Sequence, residues 1–116
     1  MHTIFTILLL IVLSSHLTQA ADKIVSCEIM RDGATAYTGK CILMPLHDGS
    51  FILSNLQQQI PLFDDVSMVS VSLTEKDVAD VRGLTSAGIR SLWGEAKRFQ
   101  KDPACCTGYD FEICVR

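Results

Sequence analysis

From Lys23 to Met30 apolar and polar positions alternate, with Val25, Cys27 and Ile29 on one side and Ile24, Ser26 and Glu28 on the other. A period of two predicts a strand, here with a mixed outer face. Arg31-Asp32-Gly33 is a turn signal. A return strand starts at Ala34–Tyr37, is interrupted by Thr38-Gly39-Lys40, and resumes over Cys41–Met44. His47-Asp48-Gly49-Ser50 predicts a tight hairpin, because Asp-Gly accepts the positive φ that such turns need. Phe51–Leu56 reads as the next strand, and Gln57–Asp65 as a polar loop carrying Ile60, Leu62 and Phe63. Val66–Leu73 alternates again and is rich in β-branched residues. Thr74–Asp77 turns, Val78–Arg82 is a short strand or connector, and Gly83–Gly88 is a loop. Phe111, Ile113 and Val115 share one face of a last strand.

One segment breaks this rhythm. Ile89, Leu92, Trp93, Ala96 and Phe99 form a stripe at helical spacing. Gly94 lies inside it and costs a helix about 1 kcal/mol relative to Ala. Periodicity alone therefore predicts a helix near 89–99. The fold class is mostly β, a small antiparallel sheet or sandwich, with α+β as the alternative if that helix forms.

The N-terminus has a different pattern. Ile4–Leu13 is apolar except for Thr6, and Thr18-Gln19-Ala20 supplies small residues before Ala21. This is the pattern of a cleavable export signal, although Met1-His2-Thr3 lacks the usual basic residue. The apolar core of about ten residues would span about 15 Å, half of a hydrocarbon layer of about 30 Å. Ile24-Val25-Ser26-Cys27 loosely resembles a lipoprotein cleavage site, but Asp22 and Lys23 separate it from the apolar core. Residues 1–20 are thus expected to be a signal peptide. Residues 21–116 form one domain, periplasmic or secreted, with no membrane attachment after cleavage. Much of the positive mean hydropathy belongs to the leader. The net charge of −3 argues against nucleic acid and anionic lipid as partners.

Export gives the five cysteines their meaning. In a small exported domain they form a disulfide framework more often than a metal site. Cys27 and Cys41 flank the turn at residues 31–33, so they can lie on adjacent strands. Cys105 or Cys106 flanks Thr107–Asp110 against Cys114 in the same way. Closing each short loop contributes about 3 kcal/mol. Strand adjacency favours these local bridges, taken as Cys27–Cys41 and Cys105–Cys114, with Cys106 as a free or intermolecular thiol. A vicinal Cys105–Cys106 bridge is disfavoured, since adjacent Cα atoms are about 3.8 Å apart and bridges prefer about 5.5 Å. The cysteine and histidine spacing is not that of a zinc site.

Three stretches, CILMPLHDGSF, RGLTSAGIRSLWGEAKR and DPACCTGYDFEICVR, resemble a group of small, uncharacterised, exported bacterial proteins. Those proteins carry two cysteine pairs, a DGSF turn and an ending like A-C-W-x-G-x-D-F-x-I-C. The resemblance implies that Cys106 stands where the pattern has Trp. It therefore supports Cys106 as the odd cysteine and leaves open what fills the volume of the missing indole. It also implies that 89–99 is loop plus strand, with Ser91-Leu92-Trp93-Gly94 as the bend. It implies no activity.

No catalytic residues, metal ligands or cofactor are expected. His47, Asp48 and Ser50 lie too close together on one turn for a relay that places the base between nucleophile and carboxylate. Asp64-Asp65 and Glu75/Asp77/Asp80 lack the ligand spacing and turn glycine of a calcium loop. Cys106 would need a depressed pKa to act as a nucleophile. Trp93, Lys97, Arg98, Phe99 and Lys101 form a possible basic-aromatic binding surface. The function expected is an exported, non-enzymatic binding module, such as an inhibitor or an envelope interaction protein. The alternatives are a small exported hydrolase and a structural subunit dimerised through Cys106.

Overall fold

A computed structural model describes residues 21–116; the expected signal peptide lies outside them. Eight strands follow one another around a closed antiparallel barrel. They are β1 (Lys23–Arg31), β2 (Ala34–Pro45), β3 (Phe51–Ser54), β4 (Val66–Glu75), β5 (Val78–Thr85), β6 (Arg90–Arg98), β7 (Cys105–Thr107) and β8 (Phe111–Val115). Each pairs with its neighbours in the chain, and β8 returns to β1 with Cys27 opposite Val115 and Arg31 opposite Phe111. The simple up-and-down order sorts the connections between two ends. Residues 32–33, 55–65, 86–89 and 108–110 lie at the hairpin end. Residues 46–50, 76–77 and 99–104 lie at the other end with both termini of the described chain.

The tight Asp-Gly hairpin is at Asp32-Gly33. Arg31 faces Ala34, and the two turn residues have φ of 53° and 78°, the geometry of a two-residue I′ turn. Asp48-Gly49 instead lies in a five-residue connection, Leu46–Ser50, built on a 3-10 turn at His47–Gly49. Thr38-Gly39-Lys40 does not interrupt β2, which runs through it with Gly39 opposite Cys27. Residues 78–82 belong to a full strand that continues to Thr85, so Gly83 is a strand residue. Cys105–Thr107 is a short strand that the sequence pattern did not signal.

The helix expected near 89–99 is a strand, β6. Its pairing slips once: Val81 faces Gly94 and Arg82 faces Leu92, so Trp93 is an extra, bulged residue. The bulge turns Trp93 towards the core while Leu92 stays outside, 60% exposed. Ala96, three residues later, again points inward. Of the five residues at helical spacing, only Trp93 and Ala96 face the core; Ile89, Leu92 and Phe99 are exposed.

Inward positions of every long strand meet in one core, where Ile29, Leu53, Val69, Val81 and Ile113 are almost fully buried. Both disulfides expected from strand adjacency are present, Cys27–Cys41 and Cys105–Cys114. Cys27 and Cys41 are diagonal neighbours across β1 and β2, with Cα atoms 6.0 Å apart, and both line the core. Cys105 and Cys114 are direct partners across β7 and β8.

Candidate functional site

Trp93 belongs to the hairpin end of the barrel. Its indole packs between Phe63, with centroids 6.1 Å apart, and Phe111, at 5.8 Å. Gly83 lies under the ring: a Cβ there would come within 2.9 Å of the indole Nε1. The Arg31 guanidinium stacks on the indole, 4.0 Å from the ring centroid, and its buried Nε has no hydrogen-bond partner among the described residues. A stacked cation of this kind contributes about 0.5–2 kcal/mol.

Cys106 belongs to the other end. It faces Ile113 across β7 and β8, packs against the core and remains unpaired. Beside it is a mostly apolar cavity of about 80 Å³, whose wall includes Phe51, Leu73, Ala96 and Ala104, with Asp77 and Arg98 among its polar residues. Burial pushes the Cys106 thiol above its ordinary value of 9.0, only partly opposed by the nearby Arg98 charge. A reactive thiol needs the opposite shift.

The polar groups weighed for catalysis are not brought together. Ser50, the buried hydroxyl, donates to Asp48 Oδ1 at 2.8 Å and accepts the Leu73 N–H at 2.8 Å. That pair ties the Leu46–Ser50 connection to β4 and holds the Asp48 carboxyl below its usual value. His47 and Asp48 lie at one end of the barrel, and Asp64 and Asp65 at the other. Asp77 accepts from Arg98 Nε at 2.9 Å, and Asp80 stands 4.0 Å from Arg82. Asp102 takes two hydrogen bonds from Arg116, which lower its pKa and fasten the last residue to the β6–β7 connection. Cys105, Glu112 and Cys114 bring three ligand-type atoms within 4.8 Å of one another, but both sulfurs are spent in the disulfide.

Of the basic-aromatic residues singled out along the chain, Trp93 is set apart from the exposed Lys97, Arg98, Phe99 and Lys101. Trp93 is half-buried against the core cluster, and the cation stacked on it is Arg31. Arg98 is tied to Asp77 and also donates to the Pro103 carbonyl at 2.9 Å. Lys97 lies exposed on β6 opposite Val78 and Thr107, while Phe99, 42% exposed, and Lys101 stand on the β6–β7 connection.

A different surface is the larger feature. The outer face of β2–β6 carries a trough made of two adjoining depressions of about 440 and 430 Å³ that share Met68. Ile42, Met44 and Ile60 line the first with Ser54 and the glutamines of the β3–β4 loop. Ile52, Leu84, Ser70 and Ser72 line the second, with Arg82 and Arg90 beside them. Strand alternation carried a faint signal of it. Ile42, Met44, Ile52, Met68 and Leu84 all occupy positions whose alternate neighbours fill the core, so they should be polar if that face met only water. Only the register places them side by side.

Comparison of the chain with protein-family models, with curated proteins and with solved structures finds no match. Among the described residues, no helix is long and apolar enough to cross a membrane.

Proposed function

We propose that residues 21–116 act as a non-enzymatic binding module in the periplasm or outside the cell, an inhibitor or envelope interaction protein that recognises another protein. The observation that carries this reading is the trough on β2–β6, where half-buried apolar side chains alternate with serines, glutamines and two arginines, held on the wall of a closed, disulfide-linked barrel. A pre-ordered surface loses little conformational entropy on association, so more of the contact energy remains as affinity. Two bridged cysteine pairs, together with the leader pattern of residues 1–20, support an oxidising compartment.

The hydrolase reading is less well supported. The trough and the end cavity are lined by none of His47, Asp48, Asp64 or Asp65, and the Cys106 thiol shifts away from reactivity. The inward direction of Cys106 also disfavours a subunit linked through it. We further propose kinship with the small exported bacterial proteins of the A-C-W pattern. The cavity beside Cys106, where that pattern has Trp, supports it.

The test is affinity capture with protein recovered as the cell processes the full chain. Disulfide-intact bait and reduced, alkylated bait are compared on envelope and culture-fluid proteins. A discrete, saturable partner retained only by intact bait is expected. Absence of any specific partner from both sources would defeat the reading.

A further inference from the structure

We infer that the trough takes an extended segment of a partner protein, apolar along its length and acidic at the end that lies over β5 and β6. This rests on the binding-module reading and names what that module recognises.

The length comes from the strands it crosses. From Ile42 on β2 to Arg90 on β6 there are four interstrand steps of about 4.8 Å, about 19 Å in all, which about six extended residues would span at about 3.3 Å each. Register makes the floor continuous: Met44 faces Ile52, Ser54 faces Met68, Met68 faces Leu84, and Leu84 faces Arg90.

Charge sets the direction. The chain carries a net charge of −3, yet both charged side chains lining the β3–β6 half of the trough are arginines, Arg82 and Arg90. Asp80 stands near Arg82, and Arg90 makes no ion pair among the described residues. The opposite end holds an acid, Asp22. A segment with carboxylates at one end and apolar side chains behind them therefore fits in one orientation. Such complementarity acts on specificity and association rate.

A polypeptide suits the trough better than an acyl chain does. Ser54, Ser70, Ser72 and Gln58 line it. An extended backbone needs such partners for its N–H and C=O groups, whereas an acyl chain would desolvate them without return.

The experiment selects random eight-residue peptides on phage against the processed, disulfide-intact protein and against its Arg82→Glu/Arg90→Glu variant. The winning peptide is then titrated by fluorescence anisotropy. Expected is an apolar run bordered on one side by Asp or Glu. The double variant should bind that peptide at least tenfold more weakly and regain affinity when the peptide's acids become lysines. Met68→Lys should abolish binding with an unchanged thermal melt. Absence of a consensus overturns the proposal, as does a consensus indifferent to charge reversal. Saturable binding to phosphatidylglycerol vesicles but to no peptide would overturn it in favour of a lipid surface. A dimer in sedimentation that Met68→Lys dissolves would overturn it in favour of a second copy. A cellular partner still captured by Met68→Lys removes this site and leaves the binding-module reading intact; a wild-type protein that captures nothing removes that reading itself.

Discussion

The two ends of the barrel close in opposite ways. At the hairpin end, Phe63, Trp93 and Phe111 fill the interior with rings, and Arg31 covers the indole. At the end with the termini, the inward side chains include Ala79, Ala96 and Cys106, and a cavity of about 80 Å³ remains. That end is held by the Cys105–Cys114 bridge, the Arg98–Asp77 pair and the Arg116–Asp102 pair. One end is thus filled by stacked rings, whereas the other keeps a cavity between Phe51, Leu73 and several small side chains and is fastened by cross-links. The difference shows that a domain this small need not close both ends with the same kind of interaction.

The comparison breaks most readily at Trp93. Trp93→Ala removes both ring contacts and the platform for Arg31, and should cost about 3–5 kcal/mol in urea unfolding. The corresponding change at the other end, Cys105→Ser with Cys114→Ser, should cost about 3 kcal/mol, and reduction of the wild type, which opens Cys27–Cys41 as well, should cost more. If the ring cluster matters through fit, Gly83→Ala should cost about 1–3 kcal/mol, because its Cβ would press on the indole Nε1 at 2.9 Å. Trp93 fluorescence should shift with it.

The open end can be improved rather than broken. Cys106→Met places a flexible apolar chain beside the cavity and should raise stability by about 0.5–1 kcal/mol. The smallest effect concerns pH. Burial raises the Cys106 pKa above 9.0, so the folded state favours the protonated thiol. That contribution is complete below the unfolded thiol pKa and is lost as pH rises through the folded one. Iodoacetamide should therefore label Cys106 slowly at neutral pH and faster in urea; equal rates in both would contradict the buried placement.

Much of the fold was legible along the chain because its causes are local. Alternation exposed β1, β4 and β8, and the residues flanking turns 31–33 and 107–110 indicated both disulfides. Where local signals competed, the outcome depended on partners. Asp-Gly occurs at both 32–33 and 48–49, but only the first joins strands across two residues. The second became a longer connection when Ser50 engaged Asp48 and Leu73.

The candidate site was less legible. Trp93 and Phe99 look like neighbours along the chain, but a one-residue bulge sends the first into the core and leaves the second outside. The apolar part of the trough is built from Ile42, Met44, Ile52, Met68 and Leu84, outward residues on four different strands. By itself the sequence determined the strand-rich class, the turns and the adjacency of the paired cysteines, because each follows from residues a few positions apart. Tertiary structure alone decided the closure of β8 onto β1, the inward turn of Trp93 and Cys106, and the joining of scattered apolar residues into one surface. Those outcomes depend on register between strands distant in sequence, where a shift of one residue exchanges the inside of the barrel for its outside.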